Sequence, residues 1–226
     1  ISAPDYGDVV STNATVTGCD GTAPLPITND DNLDAGTMAK VTGFEVLSIG
    51  SSAGSTYNLS SMGFAGVVVD ADIAATTVSN ITAETIDITA TTTAALTLAL
   101  KTATGSTDAL TVTIEGAAVD TGADDDTTND TNDLTVSELV TASIETVTIE
   151  SNTAATNEAG VSNVVSVLAT DATKLVVTGD HVLTITDFQE DTSAAVNTDT
   201  VTIDASASAG LIMGDYVSGL NVSILG

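Results

Sequence analysis

There is no Trp and no Arg in this chain of 226 residues, one Cys, one His and only three Pro. Each absence excludes something. Lys40, Lys101 and Lys174 are the only cations against 31 acids, which leaves a formal net charge of −28. Such a surface has nothing with which to neutralise phosphates, so nucleic acid is excluded as a partner, and adsorption to an anionic membrane with it. Cys19 alone closes no intrachain disulfide. No apolar run is long enough to insert into a membrane as a helix, and no basic, apolar-cored signal peptide opens the chain. One His (His181) and one Cys make no zinc site, which needs several such ligands clustered. A nucleophile elbow and a phosphate-cradling glycine loop are both missing. Six aromatics, three Tyr and three Phe, give no platform on which to hold a sugar ring. The chain reads as something other than an enzyme.

What is there points to strands. Hydrophobic residues make up 42 % of the sequence, which is too much for an acidic disordered tail. The acids are 23 Asp and 8 Glu. Asp is a poor helix-interior residue and a good turn residue, because its short carboxylate bonds nearby backbone N–H groups. Abundant Thr with Val and Ile, punctuated by Asp-rich turns, is a β composition.

Residues 1–40 hold all the prolines, Pro4, Pro24 and Pro26, and read as an irregular N-terminal segment or an edge strand. From Val41 a short strand recurs: acid, any residue, aliphatic, any residue, Ile. It is seen in Glu45-Val46-Leu47-Ser48-Ile49, Glu84-Thr85-Ile86-Asp87-Ile88, Glu145-Thr146-Val147-Thr148-Ile149 and Asp199-Thr200-Val201-Thr202-Ile203. Leu110-Thr111-Val112-Thr113-Ile114 and Leu183-Thr184-Ile185 are close relatives. Each alternates apolar and polar, the period of a strand with one buried face. The copies begin at residues 45, 84, 145 and 199, so the repeat has no fixed length. Further strands are expected at 65–69, 95–100, 164–168, 175–178 and 220–225. The expected fold is all-β, an irregular parallel β-solenoid over 41–226, with an antiparallel β-sandwich as the alternative. Coils of about 20 residues stacked roughly 4.8 Å apart would make a rod on the order of 50 Å long.

The stretch from Ser143 to Glu150, followed by Ala172-Thr173-Lys174-Leu175-Val176-Val177-Thr178-Gly179-Asp180-His181-Val182-Leu183-Thr184-Ile185-Thr186, resembles the coils of bacterial RTX-type surface-layer proteins. There an "(I/V)ETV-x-I" strand precedes a "T-x-L-x-(V/I)-x-G-(D/N)-x-x-(L/V)-x-(I/L)-T" pair. Residues 43–49 and 201–206 resemble other coils of that family, so the likeness covers about residues 40–226. It implies a calcium-dependent, secreted β-solenoid that tiles the cell surface as a two-dimensional lattice. The family's glycine-rich calcium nonapeptide is not intact here. Its nearest approaches are Gly122-Ala123-Asp124 and Asp34-Ala35-Gly36.

Independently of that likeness, Asp120, Asp124, Asp125, Asp126, Asp130 and Asp133 crowd into fourteen residues. Like charges so close repel unless a cation sits among them. Ca²⁺ takes 6–8 oxygen ligands, and Asp, Asn, Thr and backbone carbonyls supply them. Asp30, Asp31 and Asp34, with Asn29, form a second candidate set. Asp70 with Asp72, and Asp187 with Glu190 and Asp191, are weaker ones. The expected function is an extracellular structural protein of a surface layer, sheath or filament, built by calcium-assisted self-assembly. Its partners are copies of itself in an oligomer or lattice, with a cell-surface polysaccharide as a further candidate. The alternatives are a calcium-rigidified adhesin stalk or an ice-binding solenoid, the latter suggested by Thr pairs at 91/93, 111/113, 146/148, 184/186 and 200/202. Ile1 in place of Met and the strand-like residues 222–225 read as a segment of a longer or processed chain. Residues 217–226 or 8–17 are expected to complete a sheet in a neighbouring molecule or to lead into further domains.

If divalent ions relieve the self-repulsion, a chelator at low ionic strength lowers the melting temperature substantially. Superimposable melting curves with calcium and with chelator would remove calcium from the account. Recovery by molar NaCl alone would assign the effect to screening, since the Debye length falls to about 3 Å at 1 M.

Overall fold

A computed structural model describes residues 16–17, 24–27, 41–42, 44–50, 56–61, 64–82, 84–116, 134–153, 162–189, 200–216 and 221–226. In chain order the first strands are β1 (Val16–Thr17), β2 (Pro24–Ile27), β3 (Val41–Thr42), β4 (Val46–Ile49), β5 (Thr56–Asn58) and β6 (Gly66–Val69). A single 3-10 turn, Leu59–Ser61, follows β5. Next come β7 (Thr76–Ile81), β8 (Thr85–Ile88), β9 (Thr92–Leu100), β10 (Ala109–Gly116), β11 (Thr135–Ala142) and β12 (Thr146–Thr153). The last are β13 (Asn163–Thr170), β14 (Lys174–Gly179), β15 (Leu183–Gln189), β16 (Thr200–Ser208), β17 (Leu211–Tyr216) and β18 (Asn221–Leu225).

Even-numbered strands from β2 to β18 form one nine-stranded sheet, and odd-numbered strands from β5 to β17 form one seven-stranded sheet. The chain therefore winds from one sheet to the other and back, adding one rung to each per coil. Strands β1 and β3 form a separate two-stranded sheet. Every pairing is parallel, so the fold is a parallel β-solenoid and the antiparallel sandwich is excluded. Parallel strands covered on both faces read as continuous apolar runs. Here they alternate, because each sheet has one face on the core and one face in water.

The core is the seam between the sheets. The nine-stranded sheet contributes Leu47, Val67, Ile86, Val112, Ile149 and Val177, all buried and stacked in one register column. Tyr57, Val78 and Leu98 form the start of the facing column in the other sheet. Five of the six recurrent segments, at 45–49, 84–88, 110–114, 145–149 and 199–203, supply strands of the nine-stranded sheet, and the sixth, at 183–185, opens β15.

Coil length varies much more than strand position. The column advances from residue 47 to 67 and from 67 to 86, steps of 20 and 19. It then advances from 86 to 112, from 112 to 149 and from 149 to 177, steps of 26, 37 and 28. The extra length lies between strands. Nine rungs at about 4.8 Å spacing give a stack roughly 40 Å long, shorter than coils of uniform length would build, because these insertions consume residues without adding rungs.

Three non-glycine residues turn the same corner, from the seven-stranded sheet into the nine-stranded one, in the left-handed region: Asn80 (φ 60), Ser143 (φ 57) and Asp171 (φ 74). Asn and Asp tolerate this conformation better than other side chains because they bond locally. At the opposite corner Gly179 has φ 107, and a Cβ there would lie 2.1 Å from the Ser151 carbonyl oxygen. Glycine is required at that position for both reasons.

Truncating a core column should be felt far more than truncating its outward neighbour. Ile149→Ala is expected to lower the unfolding free energy by about 2–5 kcal/mol. Thr148→Ala, one residue away on the wet face, should stay within about 0.5 kcal/mol. Urea denaturation of both variants checks the ordering, and equal losses would mean the faces have been assigned wrongly.

Candidate functional site

The principal cation candidates from the sequence, Asp120, Asp124, Asp125, Asp126, Asp130 and Asp133, lie outside the described residues. So do Asp30, Asp31 and Asp34, and from the weaker sets Glu190 and Asp191. Among the described residues no group of three or more His, Cys, Asp or Glu gathers as a metal would require.

The acid-rich segment leaves β10 at Gly116 and the chain is described again from Leu134. Under that point sits Asn163, fully buried on the inward face of β13. Its Nδ2 donates to Ser151 Oγ at 3.0 Å, to the Asn152 carbonyl at 3.0 Å and to the Ile114 carbonyl at 3.2 Å. Its Oδ1 meets no donor among the described residues. A Cβ on Gly116 would approach that oxygen to 2.7 Å, so glycine is what makes room for the amide. Sequence reasoning missed this group. The available signal was parity: Asn163 occupies an inward position in line with Val165, Val167 and Ala169.

Of the described acids some lie on strands and others at corners, and several of the corner acids hold one coil to the next. Among the recurrent acids that precede strands of the nine-stranded sheet, Glu145 is such a residue. Glu145 accepts the Asp108 N–H from the preceding coil through Oε2 at 2.9 Å, while its carbonyl accepts the N–H of Lys174 from the following coil at 2.9 Å. Glu84 accepts the Thr82 N–H within its own corner at 2.5 Å. Asp70, at the other corner, accepts from Ser48 Oγ of the coil before at 2.6 Å. Asp72 accepts the Thr93 N–H of the coil after at 2.8 Å and the Thr93 hydroxyl at 3.0 Å. The structure thus places Asp70 and Asp72 on one corner but turns them toward opposite neighbours. Asp187 faces out from β15, accepts from Gln189 Nε2 and stands in register with Asp215 of β17.

The outward columns are mixed. Thr111 stacks on Thr148, but the next positions are Val176 and Asp204. Thr113 lies between Asp87 and Glu150, and Lys174 lies between Thr146 and Thr202. An ice-binding face needs unbroken Thr columns, and on this sheet charged and aliphatic residues interrupt them. A cleft of 340 Å³ opens where β8 and β10 part company. Its polar lining is Thr82, Glu84, Thr85, Thr111, Thr113 and Glu150. That lining offers hydroxyls and carboxylates, with neither a nucleophile–base pair nor an aromatic face. His181 is nearly buried at the start of the turn into β15, where its N–H donates to the Ser151 carbonyl at 3.0 Å. Comparisons with family models, with curated proteins and with solved structures return no match.

One ion pair joins neighbouring rungs: Lys174 Nζ to Asp204 Oδ2 at 3.2 Å. The Ser206 hydroxyl donates to Asp204 Oδ1 at 2.7 Å, and this bond, with Lys174 and the Ser206 N–H, holds the Asp204 carboxyl below its ordinary value of 3.8. A depressed folded-state value means the contribution to stability is full above the unfolded value and is lost as the pH falls through the lowered one. Titrating the Asp204 carboxyl carbon by NMR should give a midpoint below 3.8. Ser206→Ala should raise that midpoint more than Lys174→Met does. A midpoint indifferent to both substitutions would show that the carboxylate is held by neither.

Proposed function

We propose that this chain is a structural protein of the cell exterior, a calcium-assisted building unit of a surface layer, sheath or filament. The observation that supports this most is the continuity of the stack through its longest insertion. Val112 pairs with Ile149 across a step of 37 residues, with the Asp-rich residues 120–133 between them in sequence. Carboxylates at the described corners are mostly engaged in hydrogen bonds between or within coils. On this reading the inserted Asp residues take up cations in contacts with other molecules, where a divalent ion cancels the repulsion between surfaces that share a charge of −28. Other copies of this chain are the primary partner, and a cell-surface polysaccharide is the anchor this reading calls for.

Adding calcium to the full chain at low ionic strength should increase the particle size in light scattering. Negative-stain electron microscopy should then show ordered sheets or fibres. Single rods of unchanged size with calcium present would sink the assembly reading and favour an isolated projection such as an adhesin stalk.

A further inference from the structure

We infer that the cleft between β8 and β10 binds a primary ammonium group carried on an alkyl stem, either a free alkylamine or a lysine side chain of another molecule. The inference stands apart from the assembly reading, since the whole cleft lies within one molecule.

A splay of two neighbouring strands builds the cleft. β10 pairs with β12 from Ala109 onward, but its ladder to β8 begins only at Val112, opposite Ile86. The residues before that point part from β8, and a space of 340 Å³ opens between the strands. On the β8 side the Thr85 hydroxyl lies 2.5 Å from where a Cβ on Gly66 would stand. Glycine at that position lets Thr85 lean onto β6 and away from the gap. The volume falls at the small end of the range for ligand sites, about 300–1,000 Å³.

Depth sorts the lining by polarity. Ile81, Ile86 and Leu110 are at most 5 % exposed, and Leu100 packs against the same core. Nearer the surface stand Glu84, Glu150, Thr111 and Thr113, none of them buried. Hydrogen bonds hold the two carboxylates in place: Glu84 accepts the Thr82 N–H at 2.5 Å, and Glu150 Oε1 accepts from Asn152 Nδ2 at 3.1 Å. Among the described residues that line the cleft none is cationic.

This lining selects its occupant by charge and by depth together. An anion would meet two carboxylates on a chain of net charge −28. A neutral apolar molecule would cover those carboxylates without pairing them, which costs free energy. Ca²⁺ needs about 6–8 oxygen ligands, finds no cluster of three acids among the described residues, and makes no use of an aliphatic floor. An alkylammonium satisfies both halves. Its stem lies along Ile81, Ile86 and Leu110, and its N–H donors face Glu84, Glu150 and the threonine hydroxyls. Lysine side chains divide themselves between apolar and polar surroundings in the same way.

n-Pentylammonium titrated into the full chain, with chelator and moderate salt to suppress diffuse attraction, should shift the NMR methyl signals of Ile81, Ile86, Leu100 and Leu110 and then saturate. n-Pentanol, with the same stem and no charge, should not saturate over that range. Glu84→Gln/Glu150→Gln keeps an acceptor for the Thr82 N–H and should weaken binding about tenfold or more. Glu150→Gln alone should weaken it in the same direction. Glu138→Gln/Asp215→Asn removes the same charge from the seven-stranded sheet and should change the affinity less than about twofold. Nα-acetyl-lysine amide binding as tightly as pentylammonium assigns the site to a lysine of another molecule, and pentylammonium binding alone assigns it to a free amine. The inference is overturned by shifts spread over the whole surface, by saturation with n-pentanol, or by a folded Glu84→Gln/Glu150→Gln variant that binds like the wild type or no worse than the control variant. None of these outcomes bears on calcium-induced growth, so the cleft and the assembly reading fail separately.

Discussion

The structure depends on one constraint: at every rung the same side of the strand must face the seam. Side chains alternate with a period of two, so a shift of one residue would send Thr148 into the core and Ile149 into water, whereas a shift of two changes nothing about the faces. The chain uses that latitude. By sequence pattern the aliphatic residue of Glu84-Thr85-Ile86 corresponds to that of Glu145-Thr146-Val147, but the column through Ile86 and Val112 continues into Ile149. The register has slipped by two and the core is undisturbed. A second slip puts Ile203 beside Leu175, and so in line with Val147 and not with Ile149. Parity, not spacing, is what the repeat preserves.

The same constraint determines where charge can go. An inward acid would lie buried between two sheets, and an outward one meets another residue a rung away in each direction. Outward strand positions carry some acids, such as Asp87, Glu150 and Asp204, and corners carry others; at a corner a carboxylate finds backbone N–H groups that the sheet ladders do not use. Glu145 and Asp72 show the consequence: an ionised side chain acts as the bolt between coils, in bonds stronger than those between neutral groups. With three lysines in the chain, hydrogen bonding to N–H and O–H groups replaces ion pairing as the means of accommodating acids, and Lys174 with Asp204 is the exception among the described residues.

The nine-stranded sheet was legible because its inward positions are aliphatic almost without interruption, so period two stands out in segments such as Leu110–Ile114. The seven-stranded sheet was less so. It buries Thr76, Thr92, Thr141 and Asn163 at inward positions, which blurs the alternation, and register shifts at Val136/Leu139, Val165/Ser166 and Val78/Ile81 break the period locally. Only 95–100 and 164–168 of that sheet, with Leu183-Thr184-Ile185, could be read in advance, and Tyr57 and Phe188 went unnoticed as core residues. At the site, composition singled out Asp70 and Asp72 as weaker cation candidates, and in the structure their carboxylates accept hydrogen bonds. Their actual partners, Ser48 and Thr93, are set by the coil step of about twenty residues, a distance that no local motif reports. Asn163 escaped because one polar residue at an inward position looks like a strand end until a neighbouring coil supplies Ser151 and Gly116.

A stack of coils also suits a chain with this charge in a way a rounder fold would not. Each coil contacts only its neighbours, so stability accumulates rung by rung and a long insertion at one corner disturbs only the two coils beside it. Charges two rungs apart are already about one Debye length apart at 0.1 M salt, so distant coils scarcely repel one another. Packing the same acids around one compact core would place many of them within that distance. An acidic sequence with few cations can therefore keep an ordered interior.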